Sequence, residues 1–140
     1  MQSNYAAKSG PDVVVTPVKT HAAVTVGEPL FFDATSGAFD GKTTKAASTT
    51  NRVFPAGVAR ATTTEAKPIL AQVYGYHSAL RARGSAIAIG TVLMGTTGAD
   101  YLAATASASL AAIAGIVAVA ASSWTQSSTT GTVAGLVKVI

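Results

Sequence analysis

The chain contains no cysteine, which excludes disulfides and thiolate metal sites. Charge is scarce: 11% of the 140 residues are charged, against roughly 25% in an ordinary soluble domain. None of them lies between Leu102 and Val137. A free monomer uses surface charge to stay apart from its neighbours, so a surface this bare is expected to meet other protein. The ten basic residues, Lys8 to Lys138, are scattered and give a net charge of +4. Without a basic run interleaved with aromatics, no nucleic-acid partner is expected. The first ten residues lack the basic region and apolar core of a signal peptide. The apolar stretch Leu110 to Ala121 is about a dozen residues long, short of the roughly 20 that a spanning helix needs. No membrane association is expected, and synthesis in the cytoplasm fits the missing cysteines.

What is present is a sentence written twice. Ala23-Val24-Thr25-Val26-Gly27-Glu28-Pro29-Leu30 is echoed by Ala86-Ile87-Ala88-Ile89-Gly90-Thr91-Val92-Leu93. Each is followed by turn residues, then by an apolar stretch centred on Ala-Gly-aliphatic: Ala56-Gly57-Val58 and Ala114-Gly115-Ile116. Each half closes on an alternating strand, Ile69 to Tyr74 and Val133 to Val139. Gly27 and Gly90 lie 63 residues apart and Val73 and Val137 lie 64 apart, while Gly57 and Gly115 lie 58 apart. Internal repetition of this kind decides the architecture before any single element does.

The elements read as strands: short runs rich in Val, Ile and Thr, bounded by Gly, Pro and Ser. The candidates are 13–18, 22–26, 30–33, 53–61 and 69–76, then 86–89, 92–95, 112–120 and 132–140. Thr43 to Asn51 reads as a polar loop, and Tyr101 to Ala112 as a helical turn or a loop, alanine being the best helix former. The expected fold is all-β with little helix: two tandem, internally repeated small β-barrel or sandwich modules behind an extended N-terminal arm. The arm spans 1–20, the first module 21–76, a glycine-bounded connector 77–84 and the second module 85–140.

No constellation reads as an active site. Gly37-Ala38-Phe39-Asp40-Gly41-Lys42-Thr43 resembles a phosphate loop, but only three residues separate its glycines where four are needed. It reads as a solvated hairpin turn. His21 and His77 have no partners at ligand spacing and read as surface or connector residues. Asp33 and Asp40 flank one turn, where Asp ordinarily bonds its own backbone. The chain is expected to be no enzyme, with no catalytic residue, no metal and no cofactor. Trp124, the single tryptophan, sits in the uncharged loop 122–128 and reads as either an interface anchor or local packing. Of Phe31 and Phe32, at least one is expected in the core.

Together, Val24-Thr25-Val26-Gly27-x-x-Leu30, Ala56-Gly57-Val58-Ala59 and their second copies at 87–93 and 114–117 resemble the small capsid decoration (cement) proteins of tailed bacteriophages. The resemblance covers most of the chain from about Ala22 onward. It implies a virion protein, made in the host cytoplasm, that binds the outer capsid surface and stabilises the shell by bridging subunits of the major capsid protein. It also implies self-association, as a trimer or a cluster at a symmetry axis. Tyr5 and Lys8 on the arm and Trp124 are then the candidate contacts. The duplication departs from the family, whose members often carry one module, and it leaves the oligomeric state open, since a tandem pair can do the work of a dimer. A second reading is a carbohydrate- or surface-binding β-module, such as a head-fibre base or a cell-surface adhesion protein.

Overall fold

The structure is a computed structural model that describes residues 13–33, 41–44, 54–64, 66–96, 98–105, 115–126 and 128–139. All regular structure among them is β. The strands are β1 (Val14–Thr20), β2 (Pro29–Phe32), β3 (Lys42–Thr44), β4 (Pro55–Ala59), β5 (Pro68–Ala82), β6 (Val92–Gly95), β7 (Leu102–Ala104), β8 (Ile116–Ala120) and β9 (Gly131–Lys138). They form one nine-stranded mixed sheet in the order β1-β3-β2-β4-β5-β7-β6-β8-β9. Two pairs are parallel, β1–β3 and β5–β7, and the rest are antiparallel.

Two further pairings, β1–β5 and β5–β9, make the order return on itself. β1, β3, β2, β4 and the first half of β5 form one closed circuit, and the second half of β5 with β7, β6, β8 and β9 forms another. Both circuits run through the same order of parallel and antiparallel partners. β5 changes partners at Tyr74, which lies opposite both Val14 and Lys138. The next residue, Gly75, has φ +101°, a conformation that costs a residue with a side chain about 1–2 kcal/mol.

Several expectations change. Residues 77–82, read as part of a connector, are the second half of β5, and Gly75 turns the strand without ending it. The strand read at 13–18 is β1, Val14–Thr20, but it does not belong to a free arm: it pairs with β5 from Val14 to Lys19. The runs 22–26 and 86–89 contribute one bridge each, Val24 to Thr63 and Ile87 to Trp124, because the turns at Gly27 and Gly90 follow at once. β3 lies where a polar loop was read: Thr43, the end of the phosphate-loop resemblance, is a buried strand residue. β7 occupies the start of the alanine-rich segment. Residues 34–40, 45–53 and 106–114 lie outside the described residues, as do Phe39 and Asp40.

Two apolar clusters fill the sheet. One packs Val18, Val24, Leu30, Ala56, Ala59, Ile69 and Ala71 inside the first circuit. The other joins Leu80, Ile87, Leu93, Leu102, Val117, Val133 and Val137 of the second circuit with Phe31 and Val58 of the first. Each fully buried Leu, Ile, Val or Phe contributes about 1.5–3 kcal/mol. Phe31, the member of the phenylalanine pair that is fully buried, reaches across to Gly95. Its ring occupies the space that a Cβ on Gly95 would need.

Candidate interaction surface

Alternation along a strand sends successive side chains to opposite faces. On β5 it turns Leu70, Tyr74 and Tyr76 outward, at 50%, 44% and 45% exposure. Register supplies their neighbours, because directly opposed residues share a face about 4.5–5.5 Å apart. Pro17 lies opposite Leu70 and Val14 opposite Tyr74, and Leu136 lies opposite Tyr76. Val14, Val15 and Leu136 are themselves exposed. The result is an outward apolar stripe over β1, β5 and β9. Gln72, in the same row of β5, is withdrawn: its Nε2 donates to the Gly75 carbonyl (2.8 Å) and the Tyr76 carbonyl (3.1 Å). Its Oε1 accepts from Arg60 (2.8 Å). Gln72 thus braces the backbone where β5 changes partners.

Charge is distributed unevenly around this stripe. β1, β5 and β9 carry Lys19, Arg81 and Lys138 and no carboxylate. The described carboxylates sit elsewhere, each beside a cation or a histidine. Asp33 lies 3.5 Å from His21. Asp100 accepts from Arg81 at 3.1 Å. Glu28, almost wholly buried, has Oε1 3.9 Å from Arg81 Nε, while its Oε2 has no hydrogen-bond partner. Among the described residues no three His, Asp or Glu side chains converge into a metal-binding group.

The two histidines separate. His21 is part-exposed beside Asp33. His77, read as a surface or connector residue, is buried at 4% exposure because β5 carries it into the sheet. Its Nδ1 accepts from the Ala79 N–H at 3.1 Å, bracing the bulge between His77 and Leu80. Burial lowers its pKa below 6.5, the Arg60 charge lowers it further, and a hydrogen bond to the Ala59 backbone partly opposes both.

Of the residues singled out in the sequence, Tyr5 and Lys8 lie outside the described residues. Trp124 is half-buried, packs on the second core cluster and covers Gly131, while its indole N–H donates to the Gln126 carbonyl at 3.1 Å. These are the contacts of local packing. The stripe itself went unnamed in the sequence. The signal was the alternation Leu70, Tyr74, Tyr76 inside the run read as strand 69–76, and it becomes a surface only through the residues paired opposite it.

No protein-family model matches the chain, and no curated protein sequence matches it. Among solved structures, the chain is similar to the N base of the head fibre gp8.5 of bacteriophage phi29. The two share 16% sequence identity with a TM-score of 0.53, over 91% of this chain and 95% of that one. At this identity the likeness is one of fold.

Proposed function

We propose that this chain is a structural protein of a phage head. The observation that carries the reading is the fold shared with a head-fibre base over nearly the full length of both chains. In this reading the protein sits on the outer surface of the capsid and binds the major capsid protein. It bridges neighbouring subunits and stiffens the shell by contact alone, without catalysis. Low surface charge and an exposed apolar stripe support a life spent against other protein. The shared order of pairings in the two circuits supports a duplicated small β-barrel module as its building unit. Two modules on one chain reach two neighbouring sites and raise avidity without new contacts.

The test is sedimentation with empty, expanded heads of the phage whose genome carries the chain. The protein is expected to pellet with them at a fixed stoichiometry and to raise the temperature at which they lose their shape. A chain that stays in the supernatant overturns the reading. One observation favours a second form of it: the similar structure is a fibre base, not a flat cement protein. Electron microscopy of decorated heads distinguishes a plug level with the shell from a base that carries a projection.

A further inference from the structure

We propose that the stripe over β1, β5 and β9 is the surface that docks, and that its partner is a carboxylate-bearing, part-apolar protein surface rather than a second copy of this chain. The inference rests on the head-protein reading and names the chemistry of its contact. Its apolar part is Leu70, Tyr74, Tyr76 and Leu136, each at least 39% exposed. Tyrosines of this kind anchor interfaces because their rings bury area at little entropic cost while the hydroxyl stays wet.

Charge selects the partner. Lys19, opposite Pro68, flanks the Pro17–Leu70 end, and Lys138 stands opposite Tyr74 at the centre. Both are exposed, and neither is in an ion pair among the described residues. With no carboxylate on the three strands, the stripe offers apolar area edged by positive charge. A second copy would set the same lysines against each other, whereas an acidic rim on a partner would pair with them and steer the encounter. An anionic membrane wants clusters of about 4–8 basic residues, and a phosphate backbone wants many cations rather than aliphatic side chains. A protein surface fits what is there.

The experiment uses the full chain and purified empty heads. Leu70→Glu and Leu136→Glu are each expected to weaken head binding at least about tenfold, the loss typical of a central interface residue. Unchanged circular dichroism and melting would show the fold intact, since both sites are exposed. Lys138→Glu is expected to weaken binding several-fold and to blunt its salt dependence. Heads whose surface carboxylates have been amidated should no longer bind the wild-type chain. Ile89→Glu, at the most exposed large apolar side chain among the described residues and on none of the three strands, should bind like wild type. Wild-type binding that survives both Leu→Glu changes overturns the stripe and leaves the head reading standing, as does equal loss in Ile89→Glu. Undiminished binding to amidated heads overturns the acidic partner. A dimer of the free chain that Leu136→Glu dissolves makes a second copy the occupant and overturns the proposal. A wild-type chain that binds no heads overturns both readings together.

Discussion

The two circuits on either side of β5 use the same backbone pairings to reach different interiors. At one matched place, Thr20 lies opposite Thr43 in the first circuit and Ala82 opposite Leu102 in the second. The first pair is buried and polar: the Thr20 hydroxyl donates to the Ala22 carbonyl at 2.9 Å, and that of Thr43 reaches the Lys19 carbonyl at 3.3 Å. The second is wholly apolar. At the isolated bridges, Thr63 faces Val24 where Trp124 faces Ile87. The backbone bonds that close each turn nonetheless correspond: Gly27 to Ala59 and Ala59 to Glu28, Gly90 to Ala120 and Ala120 to Thr91. Hydrogen-bonded pairing therefore sets the path of the chain, while side-chain volume is free to vary as long as each interior is filled. The second circuit is filled partly from outside, by Phe31 and Val58.

That borrowing makes the largest expected difference. Phe31 and Met94 both follow a register shift on their strands, opposite Pro55 and Ile116 respectively. Phe31 is fully buried against Gly95, whereas Met94 retains 9% exposure. Phe31→Ala should cost about 3–5 kcal/mol and Met94→Ala about 2 kcal/mol, the range for large-to-small core changes. Urea unfolding of both variants measures it. Equal losses would mean that each circuit is filled by its own residues and that Phe31 does not join them.

The turns differ next. Gly27 and Gly90 have φ of +85° and +87°, so alanine at either costs about 1–2 kcal/mol of backbone strain. Only Gly27 is also enclosed: a Cβ there would lie 2.1 Å from the Ala79 carbonyl, whereas at Gly90 nothing stands within 4 Å. The Gly27 turn is docked on β5, with the Arg81 N–H donating to its carbonyl at 2.9 Å. Gly27→Ala should therefore cost about 3 kcal/mol and Gly90→Ala about 1 kcal/mol, overpacking adding to strain in the first alone. A smaller cost at Gly27 than at Gly90 would sink the docked-turn description.

How far the sequence reached follows from what each element has to show. β6 was legible to the residue, Val92–Gly95, and β2, β4, β8 and β9 within a few positions, because aliphatic runs between turn residues are self-announcing. β3 and β7 are three residues each, too short for any period, and Lys42-Thr43-Thr44 looks like surface until register buries its centre. The glycine match misled: Gly57 lies opposite Leu30, and the residue opposite Leu93 is Ala118, so by pairing the counterpart of Gly57 is Ala118 and not Gly115. The candidate surface was the least legible part. It takes side chains from three strands remote in sequence, and only the pairings of β5 put Val14 beside Tyr74 and Leu136 beside Tyr76. Trp124 drew attention by its size, and size is also what fits it to local packing.

The smallest expected effect belongs to His77, which tells the docked turn from the open one by pH. Its Nδ1 holds the Ala79 amide, and the Ala79 carbonyl meets the Gly27 turn, while the Gly90 turn has no such support. A protonated imidazole cannot accept that bond and would add charge beside Arg60. Burial and Arg60 lower the folded pKa, so the unfolded chain, titrating near 6.5, takes up the proton first as pH falls. The contribution of neutral His77 is thus whole above about pH 6.5 and drains away as pH drops toward the lowered folded value. Urea midpoints measured at about pH 7.5 and about pH 5 should fall on acidification in the wild type and fall less in His77→Asn, whose side-chain oxygen can replace Nδ1 as acceptor without titrating there. The Gly90→Ala variant should keep the wild-type pH dependence, because the turn it strains is not the one His77 supports. A His77→Asn protein as acid-sensitive as the wild type would place that sensitivity elsewhere and leave the docked turn without a titrating support.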